Sequence, residues 1–276
     1  MRRLSLVFAL SLLVASGGVH AAPPTPVIVE LFTSEGCSDC PPADTLLEKL
    51  IATQPVSGAD IIGLGQHVDY WDRQGWKDMF SSAAWTSRQQ IYQARFGTES
   101  IYTPQMIVDG RVEFVGSDAN AARKAIERTM ALPHGLVHVT IDPDRKAEGL
   151  APHMPGDASH MQSVSLHVSV SASDLPKLGR GDRADILVAV TERGLRTDVT
   201  RGENHGRTLS HAPVVRSLAV VGQIAGDGAT SGSARADIPL AAGWNRDHLS
   251  VVAFVQELRG RTILASGSAS PKNARP

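Results

Sequence analysis

The only two cysteines of the chain, Cys37 and Cys40, are separated by two residues. A disulfide between them closes a loop too short to tie distant segments together, so a cross-linked scaffold is excluded and the fold must rest on an apolar core. The composition allows one, because 42% of the 276 residues are hydrophobic and 20% charged, the proportions of a globular chain. At this length two domains are the expectation.

Strong local patterns flank the cysteines. Val27 to Thr33 (VIVELFT) is a near-continuous apolar run of strand length, as expected for a strand covered on both faces. Ala43 to Ala52 carries apolar residues at helical spacing behind Pro41 and Pro42, which suit a first helical turn where no N–H is needed. Cys37-Ser38-Asp39-Cys40 therefore precedes a helix N-terminus, whose free amides and dipole favour a thiolate. The spacing lets one thiolate attack a disulfide and the second thiol resolve the mixed disulfide. Cys37, further from the helix body, is the expected attacking group and Cys40 the resolving one. Half a zinc site has the same spacing, but no further cysteine supplies a second pair.

Further along, Asp60 to Gln66 reads as a strand and Thr86 to Phe96 as a helix. Met106 to Asp109 and Val112 to Val115 read as a hairpin turning at Asp109-Gly110, and Ser117 to Met130 as a helix capped by Ser117. Just before the hairpin, Tyr102-Thr103-Pro104-Gln105 has a proline entering a strand. This suggests a cis bond that leaves neighbouring backbone groups free to pair with a substrate. From His134 the texture changes to alternating strands, at Leu136 to Asp142, Val164 to Ser171, Ala184 to Glu192, Val214 to Ile224, Ala234 to Leu240, Leu249 to Gln256 and Arg261 to Ala265. An antiparallel sandwich over residues 134–268 is expected, after a first domain over 22–133 and before a tail at 269–276.

The N-terminus reads as a secretory signal peptide: Met1-Arg2-Arg3, an apolar run from Leu4 to Val14, and a small-x-small ending that places cleavage after Ala21. The run is too short to span a bilayer, so an exported, soluble protein, periplasmic or secreted and without a membrane span, is expected. The formal charge of −1, with no basic stripe, argues against nucleic acid as a partner.

Cysteine turn, strand, helix, X-Pro, hairpin and helix in this order resemble the thioredoxin superfamily, in its trimmed, glutaredoxin-like form that starts with the cysteine-bearing strand. More closely, ELFTSEGCSDCPPAD (Glu30 to Asp44), HVDYWDRQGWKD (His67 to Asp78), YTPQMIVDG (Tyr102 to Gly110) and RGENHGRTL (Arg201 to Leu209) resemble the bacterial exported family catalogued as domain of unknown function 1223. The fold this resemblance implies is an α/β thioredoxin-like domain followed by an all-β sandwich domain, with Pro104 as the cis-proline. The expected function is that of an exported thiol:disulfide oxidoreductase in which Cys37 attacks, Cys40 resolves and Pro104 presents substrate backbone, assisted by Thr103, His67 and Glu30. Such a protein needs no bound cofactor; it exchanges with protein thiols or disulfides and with an electron-donor or acceptor protein. The chain departs from ordinary thioredoxins in lacking a tryptophan before Cys37 and in carrying Ser-Asp between the cysteines. Glu35 and Asp39 beside them oppose thiolate formation, which points to a middling or reducing potential.

Eight of the 13 aromatic residues lie between Tyr70 and Tyr102. The strand ends bring His67, Asp69, Tyr70, Trp71 and Tyr102 toward the cysteines, as a wall that binds substrate, whereas Trp76, Phe80 and Trp85 read equally well as a self-packed loop. Glu30, inside an apolar strand, is either a proton relay for the resolving thiol or half of a buried salt bridge. Two other readings use the same residues: a Cu(I)-handling protein with Cys37, Cys40 and His67 as ligands, and a partner-binding protein with a structural disulfide. In the second half, Glu203, His205 and His211 are candidate metal ligands at a spacing that matches no established site, so a structured turn is the simpler reading. His153 and His160 fall in an insertion from Asp144 to Gln162 with no assigned role.

Overall fold

A computed structural model describes residues 23–142, 164–178, 181–226 and 228–271. The expected signal peptide, His153 and His160 with the expected insertion, and most of the tail lie outside the described residues. The first half runs β1 (Thr25–Thr33), α1 (Pro41–Thr53), β2 (Ala59–His67), α2 (Ala83–Phe96), β3 (Gln105–Val108), β4 (Val112–Val115) and α3 (Ala119–Met130). The second half runs β5 (Leu136–Asp142), β6 (Val164–Ser173), β7 (Ala184–Glu192), β8 (Arg196–Asp198), β9 (Thr208–Ser210), β10 (Val214–Ile224), β11 (Gly232–Leu240), β12 (Leu249–Glu257) and β13 (Ile263–Ala269).

Local chemistry accounts for the helix ends. Prolines occupy the first positions of α1; Ser82 caps α2 by accepting from the Ala84 amide, and Gly97 closes it in the left-handed region. The cap of α3 is Asp118 rather than Ser117, its carboxylate accepting from both Asn120 and Ala121 amides. The β3–β4 hairpin turns at Asp109 and Gly110 with φ of 45° and 63°, the two positive values that suit a tight two-residue turn. Gly110 is required twice over, because a side-chain carbon there would lie 1.9 Å from the Arg261 carbonyl oxygen.

The expected thioredoxin-like α/β domain followed by a separate β-sandwich is not what forms. Strand outweighs helix among the described residues, and strands from both halves build one eight-stranded mixed sheet in the order β13-β12-β7-β10-β2-β1-β3-β4. The join is parallel, Val214 of β10 beside Gly65 of β2, with the Gly65 amide donating to Pro213 O at 2.8 Å. The physical reason is edge satisfaction: β2, ending a four-stranded set, would otherwise leave a row of amides and carbonyls unpaired.

Packing confirms the union. Helix α2 covers a face to which both halves contribute, with Ile28, Phe32 and Tyr92 in one cluster with Leu187, Val252 and Phe254. On the opposite face, α1 and α3 pack against Val27, Val29 and Leu31. Beside them a three-stranded sheet, β11-β6-β5, covers Ile186, Val188 and Val190. Strand β7 is buried along its whole length, as a central strand must be when both faces are covered. A two-stranded ribbon, β8–β9, stands apart from both sheets and carries the RGENHGR loop.

Candidate functional site

Strand β1 ends at Thr33, and α1 begins at Pro41 after seven intervening residues. Between them Cys37 and Cys40 form a disulfide with Cα atoms 5.4 Å apart. Cys40 immediately precedes the helix and its carbonyl accepts from the Ala43 amide at 2.9 Å, so the sulfurs lie at the positive end of the α1 dipole. Both cysteines are 1% exposed, while Ser38 and Asp39 between them face solvent.

The Thr103–Pro104 bond is cis, as expected from the sequence, and Gln105 pairs with Phe32 of β1. Trp71 links this segment to the cysteine turn: its Nε1 donates to Thr103 Oγ1 at 2.8 Å, and its Cβ packs over Gly36. The other expected substrate-binding residues are turned to internal work. The Thr86 hydroxyl donates to Asp69 at 2.6 Å, the Tyr70 hydroxyl donates to Gln89 at 3.3 Å, and the Tyr102 hydroxyl donates to Glu113. Burial pushes Tyr70 up to about 12 and raises Tyr102, the latter with help from the Glu113 carboxylate.

Glu30 is half of a buried ion pair. Arg88 of α2 holds it through Nε at 2.6 Å and Nη2 at 3.0 Å, while Gln66 and the Tyr92 hydroxyl also donate to it. Strand alternation explains this: Glu30 shares a face with Ile28 and Phe32 under α2, and Val29 and Leu31 face α1, which the cysteines precede. The buried acid on the cysteine side is Asp44, one helical turn after Cys40, whose Oδ2 accepts from Thr33 Oγ1 at 2.6 Å.

Asp44 belongs to a polar cluster beneath the turn. His67, at the end of β2, points Nδ1 at Asp78 Oδ2, 2.6 Å away, and leaves Nε2 buried without a hydrogen-bond partner. Asp78 also accepts from the Glu35 and Phe80 amides, both at 2.8 Å. Glu35 accepts from Trp76 Nε1 at 2.7 Å and places Oε1 3.3 Å from His211 Nε2. The rings of His67 and His211 meet edge to face at 5.1 Å, with Phe80 against both. Burial works against every charge here and pushes Asp44 above the usual carboxylate range, even with His67, His211 and Thr33 pulling it down. Burial also opposes the His67 imidazolium, but Asp78, Asp44 and Glu35 overcome it and raise His67. Burial likewise opposes the Asp78 anion, which His67 and two amides hold below its ordinary value.

The β8–β9 loop closes over the cysteine turn from the far half of the chain. Asn204, fully buried, donates through Nδ2 to Glu35 O and Cys37 O, both at 2.9 Å. Glu203 accepts from the Ser38 amide at 3.1 Å, and Arg207 holds the Asn204 side-chain oxygen at 3.0 Å. Gly202, with φ of 74°, lies against Trp76, where a side-chain carbon would come within 3.1 Å of Trp76 Cβ. The candidate metal trio is therefore not assembled: Glu203 caps the cysteine turn, His205 is exposed, and His211 alone reaches the cluster. Neither do the cysteines join His67 as a ligand set. Among the described residues, the donor group close enough to share an ion is Asp44, His67 and His211.

Sequence reasoning thus misses Asp44, Asp78 and Asn204 as parts of one site, and leaves Trp76 and Phe80 open between a substrate wall and loop packing. The available signal was position within the motifs. Asp44 and Asp78 close the first two, and Asn204 lies inside the fourth. Trp85 does go to the core, beneath α2.

No helix among the described residues is long and apolar enough to cross a membrane, which says nothing of strands. Two solved structures share the fold. Protein AGR_C_4864 from Agrobacterium tumefaciens superposes with a TM-score of 0.65 at 24% identity, over 93% of this chain and 99% of its own. HBP35 of Porphyromonas gingivalis superposes with a TM-score of 0.56 at 16% identity, over 93% of this chain and 78% of its own. Comparison with curated proteins finds no match. A family model described as "Protein of unknown function (DUF1223)" matches residues 28–256, and the chain belongs to that family.

Proposed function

We propose that this is an exported thiol:disulfide exchange protein working through Cys37 and Cys40. The observation that carries the reading is a disulfide spanning two residues at the N-terminus of α1, where helix amides stabilise whichever sulfur leaves as thiolate. In the oxidising direction, a substrate thiolate attacks Cys37 Sγ, the Cys37–Cys40 bond breaks, and Cys40 leaves as thiolate. A second substrate thiolate then attacks the substrate sulfur of the mixed disulfide, so the substrate is oxidised and the pair reduced by two electrons. The reverse sequence reduces a substrate disulfide. Trp71, Thr103 and Pro104 form the wall nearest the turn, and a substrate reaches the sulfurs once the docked Asn204 loop yields.

Burial of both sulfurs favours a second reading, a structural disulfide in a partner-binding protein. One measurement separates the two: equilibrate the protein in buffers of fixed thiol poise and count alkylated cysteines by mass. A potential between roughly −120 and −270 mV marks a pair poised for exchange, and a value well below about −300 mV marks a structural bond. Export is checked by locating the protein in fractionated cells and sequencing its N-terminus, with cleavage after Ala21 expected.

A further inference from the structure

We propose that Asp44, His67 and His211 bind a divalent transition-metal ion, with Zn2+ the matching cation. Their donor atoms lie within 4.8 Å of one another, and all three residues are buried. An ion centred among them would need each donor to move by less than about 1 Å to reach the roughly 2.0–2.1 Å of a zinc–nitrogen bond. The space exists: a cavity of about 10 Å3, lined by these residues with Thr33, Glu35 and Ser210 and walled by Pro41 and Leu209, is the size of one water or one ion.

Three further observations point to a cation. First, His67 Nε2 is 99% buried and has no hydrogen-bond partner, an expensive state for an imidazole nitrogen unless something accepts its lone pair. Second, His67 shows the arrangement that prepares an imidazole for a metal. Asp78 Oδ2 accepts the hydrogen bond of Nδ1–H at 2.6 Å, which favours the tautomer with the bare pair on Nε2. His211 Nε2 is engaged by Thr197 Oγ1 at 3.1 Å with Glu35 Oε1 3.3 Å away, which leaves Nδ1 as its free ring nitrogen. Third, the charge account is open. Glu35, Asp44 and Asp78 are buried carboxylates with no lysine or arginine pairing them among the described residues, and the two histidines alone face them. A divalent ion would neutralise that excess where water cannot. Two nitrogens and one oxygen, with a fourth position for water, form a donor set suited to zinc and the neighbouring borderline metals rather than to Mg2+ or Cu(I). The site does not use the cysteines and does not rest on the exchange reading.

The test uses purified protein with its disulfide intact, stripped with chelator. Zn2+ is titrated by calorimetry and Co2+ by visible absorption. One equivalent should bind, with Co2+ ligand-field bands and no thiolate charge-transfer band. His211→Ala and Asp44→Asn should each weaken Zn2+ binding at least tenfold. Asp78→Asn, which loosens the hold on His67 Nδ1 while leaving all three ligand side chains in place, should weaken it about 10- to 100-fold. The Cys37→Ser, Cys40→Ser double variant should bind as the parent does. Absence of stoichiometric binding by the disulfide form overturns the proposal, as does binding unchanged in His211→Ala and Asp44→Asn. Binding lost only in the cysteine variant overturns it too, by placing the ion on sulfur. The Co2+ spectrum of the unmodified protein keeps the test decisive if a variant fails to fold.

Discussion

Asn204→Ala tests whether the β8–β9 loop guards the disulfide. The substitution removes the Nδ2 bonds to Glu35 O and Cys37 O and the Oδ1 bond from Arg207. Of the two carbonyls, Cys37 O keeps the Cys40 amide at 3.3 Å. Each lost bond contributes about 0.5–1.5 kcal/mol net, so the pair lowers the stability of the docked loop by about 2 kcal/mol. If a small thiol reaches Sγ only when the loop has lifted, the reduction rate follows the open population, which about 2 kcal/mol raises roughly 30-fold. The assay is pseudo-first-order reduction by excess dithiothreitol, quenched by alkylation and read by mass. The Tm should fall by about 4–8 °C for a chain of this size. His205→Ala, an exposed neighbour in the same loop, should leave the rate unchanged. A rate for Asn204→Ala within threefold of the parent would refute the reasoning, because the barrier to reduction would then lie elsewhere.

Arg88→Met leaves the Glu30 carboxylate buried with only Gln66 and Tyr92 as donors, and should cost about 3–5 kcal/mol by chemical denaturation. Adding Glu30→Gln should recover much of that loss without changing exchange kinetics, since Glu30 faces α2 and not the cysteines. The chain has three tyrosines, and all are raised in the fold, Tyr70 to about 12 by burial and Tyr92 and Tyr102 upward by burial with Glu30 and Glu113 adding to it. Titration at a tyrosinate wavelength should therefore show almost no ionisation of native protein near pH 10, where the unfolded chain ionises with a pKa of about 10. The unfolded state releases these protons first, so the tyrosines' contribution to stability should be flat below that pH and fall as pH rises above it; a native tyrosinate signal at one third of full amplitude near pH 10 would contradict the assignment. Gly110→Ala sets a methyl against the Arg261 carbonyl at a positive φ, and should cost about 2–4 kcal/mol, seen as a lower denaturation midpoint with an unchanged slope.

Much of the fold was legible because its elements are set by near-neighbour chemistry. Apolar runs such as VIVELFT, the Pro41-Pro42 helix start and the Asp109-Gly110 turn each act over a few residues, and each became the expected element. The short strands β8 and β9 were invisible, because three residues carry no measurable period. The turn holding Cys37 and Cys40 and the cis-proline were legible for the same local reason.

What the sequence by itself determined, then, is a set of strands and helices and a dithiol at a helix start. Only the tertiary structure decided which strands are neighbours. An apolar run states that a strand is buried but not what pairs with its edges, so the β2–β10 join that merges the two halves had no local signature. The site follows from that join. Asn204 reaches Cys37 across 167 positions, and the Ala212 amide beside His211 approaches Asp44 across 168, because β10 seats the far half of the chain against β2. Burial and partnership of polar groups are properties of the packed molecule. They turned Glu30 into an ion pair and left His67, Asp44 and His211 facing one another in a space the size of an ion.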